Sequence, residues 1–325
     1  MLRIAILDDY QDAALRLGDW ASLGPDCEVV RFAHNFASED AAATALAGFD
    51  VLCLMRERMP LPASLINRLP HLRLVSVTGA RIRTFDLEAA AAQGITVCHT
   101  ARGEAARGVP ELAWGLIFAL ARHIPAEDAL IRAGGWQASL GTVLGGKVLG
   151  LVGLGKLGGR MATIAQAFGM EVIGWSPNLT EARAIELGVR RVDKAALFAQ
   201  SDVISLHLIL SERSRGVIGA PEIALMKPGA LLINTSRGPL VDEPALITAL
   251  QQGRIRAGLD TFAQEPLPAG HPLRTCPNTV LTPHLGYVTE GAYAEFFRDT
   301  VENIVRWRQG APVRVLAAPG QQQKD

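Results

Sequence analysis

Short apolar runs alternate with alanine-rich helical stretches along almost the whole chain. A first series occupies residues 1 to about 100, with runs at Leu2–Leu7, Cys27–Phe32, Val51–Met55, Leu72–Val77 and Ile95–Cys98. Between them lie segments of helical character such as Ala41–Ala47 and Leu87–Ala92. A second series begins at Val148 and continues through Glu171–Trp175, Val203–Leu208, Ala230–Asn234, Arg256–Asp260 and Thr279–Leu281. Short, continuously apolar strands separated by helices belong to parallel sheets covered on both faces. The pattern therefore predicts an α/β chain of two doubly wound, parallel-sheet domains. Two longer helices flank the second series. One is expected from about Pro110 to Arg122, with Pro110 in the first turn, where a missing N–H costs nothing. The other is expected from Glu290 to Arg308, with Thr289 as N-cap. Its apolar positions Tyr293, Phe296, Phe297, Val301, Ile304 and Val305 follow helical spacing and read as core or interface. The simplest arrangement inserts a unit of residues 103–286 into the first domain. That domain is then discontinuous, residues 1–102 plus 287–325, and ends in a frayed tail from Ala317.

Length and charge narrow the picture. At about 150 residues per domain, 325 residues suggest two domains. Lys+Arg and Asp+Glu balance at 32 each, which leaves no electrostatic footprint for nucleic acid or an anionic membrane. The longest apolar stretch, Leu112 to Ala121, is too short for a membrane span and is interrupted by Gly115. The N-terminus opens directly into a strand, without a signal-peptide pattern. Cys27, Cys53, Cys98 and Cys276 lie far apart and form no metal-type pair. They read as reduced thiols of a cytoplasmic protein, with no metal site expected.

The sharpest local signal is Gly153-Leu154-Gly155-Lys156-Leu157-Gly158, which follows the apolar strand Val148–Val152 and opens a helix. Gly153 permits the tight turn, Gly155 lets backbone approach a pyrophosphate, and Gly158 lets helix and strand pack closely. The anion then meets the unpaired N–H groups of a helix N-terminus, around Lys156 and Leu157. A dinucleotide cofactor is the expected ligand. The same fingerprint expects an acid about 20 residues on, to bond the adenosine ribose. Here Ser176 stands at that position, in Gly174-Trp175-Ser176-Pro177-Asn178. It neither repels nor pairs a 2′-phosphate, so NAD and NADP both remain open.

In open parallel sheets, ligands bind beyond the carboxyl ends of the strands. In the second series those ends carry His207, Thr235-Ser236-Arg237-Gly238, Asp260 with Glu265-Pro266, and Thr282-Pro283-His284. A cation, carboxylates and a histidine thus gather at the edge that holds the glycine loop. The set suits carbonyl reduction. Arg237 can polarise the carbonyl oxygen and grip a neighbouring carboxylate. His284 can supply the proton, and Glu265 can fix its tautomer.

Gly150–Gly158, Ile233–Asp242, Gly258–Phe262 with Glu265-Pro266, and Thr282–Gly286 together resemble the D-isomer-specific 2-hydroxyacid dehydrogenase family, over nearly the whole chain. The resemblance implies two flavodoxin-like or Rossmann-like domains with the active site in a cleft, usually in a homodimer. It implies that Arg237, Glu265 and His284 form the catalytic set, that Asp260 meets the nicotinamide end, and that His207 and Thr235 line the cofactor groove. It also implies that Thr78-Gly79-Ala80 is the substrate loop, whose backbone N–H groups bind a carboxylate. Two first-domain arginines, Arg56 and Arg81, are candidates for a further cation, and relatives often carry a small or uncharged residue at the position of Arg81. Leu210 stands where relatives often have proline. The expected activity is hydride transfer between NAD(P)H and a small 2-oxoacid or D-2-hydroxyacid, as in glyoxylate or hydroxypyruvate reduction. The alternative is a non-catalytic, NAD(H)-sensing binding protein or co-repressor of the same fold.

Overall fold

The computed structural model describes residues 1–79, 84–101 and 103–318. Its strands are β1 (Leu2–Ile6), β2 (Cys27–Arg31), β3 (Val51–Leu54), β4 (Leu74–Val77), β5 (Thr96–His99), β6 (Val148–Val152), β7 (Glu171–Trp175), β8 (Arg190–Arg191), β9 (Val203–Leu206), β10 (Leu231–Asn234), β11 (Arg256–Leu259), β12 (Thr279–Leu281) and β13 (Val315–Ala317). They divide between two compact units, Met1–Glu104 with Thr289–Asp325, and Ala105–Val288. Among the described residues, no helix is long and apolar enough to cross a membrane.

The first unit holds a six-stranded sheet in the order β13-β5-β4-β3-β1-β2. Strands β1 to β5 run parallel, in the flavodoxin-like order 2-1-3-4-5. β3 and β4 are buried at every position, which is why they read as unbroken apolar runs. One face packs Leu52, Leu54, Val75 and Val77 against Leu46, Leu65 and Ile66. The helix Glu290–Arg308 buries Phe296, Phe297 and Ile304, and Thr289 caps it by accepting from Ala292 N–H. Its buried Asn303 donates to Ser76 Oγ and to His99 O, both at 3.0 Å, which ties the helix to β4 and β5.

The second unit is an all-parallel sheet, β12-β11-β10-β9-β6-β7-β8. Numbered from β6, six of its strands follow the 3-2-1-4-5-6 order of dinucleotide-binding folds, and β12 is added at the edge. The order reverses between β6 and β9, so the topological switch point lies where the glycine loop and His207 leave the sheet. Leu149, Leu151, Met161 and Ile117 form the core on one face. Val152, Phe198, Ile204, Leu206 and Leu232 form it on the other.

The structure adds to the sequence reading at four places. The units divide after Glu104 and Val288, two residues beyond each bound read from the sequence. Glu104 belongs to the first unit because its N–H donates to Glu295 and its carboxylate accepts from Thr289 Oγ1. The helix expected to start at Pro110 runs Ala105–Ala121. Its buried face, with Ala105, Gly108, Ala113, Trp114, Leu116 and Ile117, outweighs the ~3 kcal/mol that an internal proline costs. Ala317, where the frayed tail is expected to begin, closes strand β13, which pairs antiparallel with β5, and residues 319–325 lie outside the described residues. Finally, β8 is two exposed arginines and gives no apolar signal to read.

Candidate active site

The phosphate loop follows from backbone geometry. Gly153 has φ +103° and donates its N–H to Trp175 O at 2.8 Å. A side chain there would meet His207 O at 2.7 Å, so the turn accepts only glycine. At Gly158 a side chain would run into Gly153 O. At Gly155, the N-cap of the helix Lys156–Ala167, a side chain would meet nothing within 4 Å. That open space lies against the unpaired amides of the helix N-terminus, where a pyrophosphate is best held.

Polar atoms beside the loop point the same way. Thr235 is buried, and its Oγ1 has no partner among the described residues. His207 lies 2.9 Å through Nε2 from Ser205 Oγ, while its Nδ1 is buried without a partner among the described residues. Burial holds its pKa down to about 4, so the imidazole is neutral at physiological pH. Buried polar atoms without partners are costly, and a ligand carrying donors and acceptors relieves that cost. These residues fit a dinucleotide. Ser176 follows β7 directly, half-buried, with its carbonyl accepting from Leu179 N–H.

The chemistry-bearing residues converge at the carboxyl ends of β10, β11 and β12. The β10 turn is built by Asn234, which donates to Arg237 O and accepts from Ser236 N–H. Arg237 Nη1 donates to Ser236 O at 2.7 Å. A side chain at Gly238 would run into the backbone of Phe262, so glycine lets the next loop close over this turn. In that loop Glu265 Oε1 accepts from Phe262 N–H at 2.9 Å, and Oε2 lies 2.6 Å from His284 Nδ1. Burial would raise the Glu265 pKa. The His284 hydrogen bond and charge, the Phe262 amide and the Arg237 charge together hold it below the usual glutamate range. The structure thus brings Arg237, Glu265 and His284 together.

His284 itself is held in an unusual conformation, φ +55°. Asp260 explains how. It is fully buried and accepts from Thr282 Oγ1 at 2.6 Å, Leu285 N–H at 2.7 Å and Gly286 N–H at 3.0 Å. These bonds clamp the chain on both sides of His284. Burial pushes the Asp260 pKa up against these bonds. The ring of Tyr287 packs edge-on against His284, centroids 5.4 Å apart. Sequence reasoning missed the parts played by Thr282, Ser205 and Tyr287. Thr282 sat inside the quoted Thr-Pro-His motif, but nothing in the pattern marked the other two.

At the corresponding edge of the first unit, Thr78 is buried and accepts from Arg56 N–H at 2.9 Å. Gly79, at φ +81°, donates its N–H to Thr100 Oγ1 at 2.9 Å. The Arg56 guanidinium lies directly over Gly79, in the space a side chain would need. The Gly79 amide is thus engaged within the fold. Ala80 and Arg81 lie outside the described residues.

A dinucleotide loop at a switch point, with an arginine and a glutamate–histidine pair at the same carboxyl edge of the sheet, defines a nicotinamide-type oxidoreductase site. The family model "D-isomer specific 2-hydroxyacid dehydrogenase, NAD binding domain" matches residues 114–286, over half of the chain. A glyoxylate reductase of Aeropyrum pernix is 37% identical over 256 residues, covering 76% of this chain and 76% of that protein. A D-3-phosphoglycerate dehydrogenase of Synechocystis is 36% identical over 264 residues, 80% of this chain but 47% of that protein. The chain thus spans about half the length of that relative. The crystal structure of an oxidoreductase from Ralstonia solanacearum superposes with a TM-score of 0.91 at 38% identity, covering 97% of both chains. The chain belongs to the D-isomer-specific 2-hydroxyacid dehydrogenase family.

Proposed function

We propose that this chain is an NAD(P)H-dependent 2-oxoacid reductase, interconverting a small 2-oxoacid and its D-2-hydroxyacid. The observation that carries the reading is the 2.6 Å contact between His284 Nδ1 and Glu265 Oε2, with the Arg237 charge acting on the same carboxylate. The bound dinucleotide supplies a hydride to the carbonyl carbon. Arg237 stabilises the negative charge that develops on the carbonyl oxygen and grips the adjacent carboxylate. Glu265 accepts from Nδ1 of His284, which leaves Nε2 to deliver the proton to that oxygen. Asp260 keeps His284 in place through Thr282, Leu285 and Gly286, which ties its role at the nicotinamide end to positioning.

In the first unit we assign substrate contacts to Thr78, Gly79 and Arg56, and from the sequence alone to Ala80 and Arg81. A guanidinium at this edge adds positive charge beside the proposed substrate loop, which favours an anionic or strongly polar ligand. We therefore expect small polar acids such as glyoxylate or hydroxypyruvate, or acids with a second anionic group, rather than branched apolar ones. The relative named glyoxylate reductase supports the first of these. The test is kcat/KM for glyoxylate, hydroxypyruvate, oxaloacetate and a branched-chain 2-oxoacid with each cofactor, repeated in Arg56→Ala. Preference for the branched-chain acid, unchanged by the substitution, defeats the substrate assignment. Tight dinucleotide binding without turnover of any acid returns the chain to the class of dinucleotide sensors.

We also propose a homodimer. The helix Ile124–Arg132 has no buried residue, and Ile124, Ile131, Trp136, Leu140 and Val143 are 52–94% exposed. A groove of about 580 Å³ lies among Ile124, Leu130, Ile131 and Trp136, beside both Arg122 and Glu127. One short arm thus carries apolar knobs, a groove and both charges, as a two-fold, self-complementary contact requires. Sedimentation should give a dimer for the wild type and a monomer for Trp136→Glu. A monomeric wild type rules the proposal out.

A further inference from the structure

The dinucleotide reading above leaves the choice between NAD and NADP open at Ser176, and this inference rests on that reading. A carboxylate at that position bonds the ribose and repels a 2′-phosphate, whereas a nearby arginine receives it. Arg183 lies on the short helix Glu181–Glu186 that follows β7 and Ser176. Its backbone N–H is fixed by the N-cap Thr180, at 3.3 Å from Oγ1. Its side chain turns back to the first turn of the phosphate-loop helix. Nη2 comes within 3.7 Å of the point a Gly159 side chain would occupy. Glu186 Oε2 holds Nη1 at 2.7 Å, which orients the guanidinium.

The surrounding charge is one-sided. Lys156 is exposed on that first turn and Arg160 half-buried just beyond it, and neither has an acidic partner among the described residues. The helix Lys156–Ala167 has no acid in its first turn. The helix Glu39–Leu46 has two, and the helices Glu243–Gln251 and Glu290–Arg308 have one each. Of the other charges nearby, Glu181 is drawn towards Arg191 at 3.9 Å and Arg190 is bound to Glu171. Three cations are therefore carried by the start of the phosphate-loop helix and by the helix after β7, where Glu186 is bound to Arg183 and Glu181 lies near Arg191. A pyrophosphate brings two negative charges, and a 2′-phosphate adds about 1.5 to 2 more.

We infer that Arg183 selects for a 2′-phosphorylated dinucleotide, with Lys156 and Arg160 raising the local potential and Ser176 leaving room. The inference is checked by equilibrium titration of the full chain with NADPH, NADH and 2′,5′-ADP, with no 2-oxoacid present. Wild type should bind NADPH about tenfold or more tightly than NADH, the scale of one charge-assisted hydrogen bond. The same interaction predicts that Arg183→Ala weakens NADPH and 2′,5′-ADP by about tenfold while NADH stays within about twofold. Ser176→Asp should likewise weaken NADPH and spare NADH. Equal or tighter NADH binding by the wild type overturns the inference, as does an Arg183→Ala effect that is the same on both cofactors. Binding of neither reduced dinucleotide would instead remove the reading on which it rests.

Discussion

His284→Ala is expected to lower kcat for 2-oxoacid reduction by ~10²–10⁴-fold, the usual worth of a positioned general acid. The Kd for the reduced cofactor should change little. His284 hangs from the loop after β12, bonded to Glu265 and flanked by Tyr287, whereas the phosphate loop is built from Gly153, Gly155 and Gly158 at the end of β6. The substitution removes the proposed proton donor without touching that loop. It also has a signature apart from catalysis. Glu265 is held below its ordinary pKa in the folded chain, although burial opposes this, chiefly because His284 bonds and charges it. A depressed carboxylate stabilises the fold above the ordinary glutamate range and loses that contribution as pH falls through its lowered pKa. The stability gap between wild type and His284→Ala should therefore be widest near neutrality and narrow below about pH 4. Wild-type turnover in the variant would exclude His284 from proton transfer. A stability gap that does not vary with pH would exclude the coupling to Glu265.

Much of this site was legible because each part carries a local signature. The glycine loop is read from spacing, since each glycine answers a separate steric demand. Arg237, Asp260 and His284 are read from strand ends, because a parallel sheet presents its carboxyl edge to ligands. What stayed hidden depended on tertiary closure. Nothing in the sequence shows that Asp260 clamps the backbone on either side of His284, because its partners lie 22 to 26 residues away. Nor could the substrate loop be read fully. Its amides were expected to hold a carboxylate, yet the Gly79 N–H is engaged by Thr100 and Arg56 lies over it. In the fold, the apolar strands were visible because burial on both faces writes continuous runs. The edge strand β8 consists of two exposed arginines, a pattern that protects a sheet edge and resembles a loop. The start of the helix Ala105–Ala121 was hidden by Pro110, since local propensity favours a first-turn proline and the buried face overrode it.

Arg237→Lys is expected to lower kcat/KM by about 10²-fold or more, although the charge is retained, a loss typical of removing a donor to a developing oxyanion. Two features of the arginine cannot be copied. Its planar guanidinium presents parallel donors, so one group can meet a carbonyl oxygen and the adjacent carboxylate together, while an ammonium acts as a point charge. It also donates through Nη1 to Ser236 O, next to the Asn234 bonds that shape the β10 turn, and this fixes the plane of the guanidinium. Lysine would keep an attraction for Glu265 and lose that fixed plane. Both substrate capture and oxyanion stabilisation should suffer, so KM should rise while kcat falls. Cofactor Kd should hold, because the glycine loop lies on a different strand. Steady-state kinetics with glyoxylate and hydroxypyruvate, beside direct titration of the reduced cofactor, separate these effects. If lysine supports wild-type kcat/KM, Arg237 acts only through its charge and the two-pronged grip is wrong. If cofactor binding collapses together with turnover, the arginine supports the fold of the β10 turn rather than the reacting carbonyl.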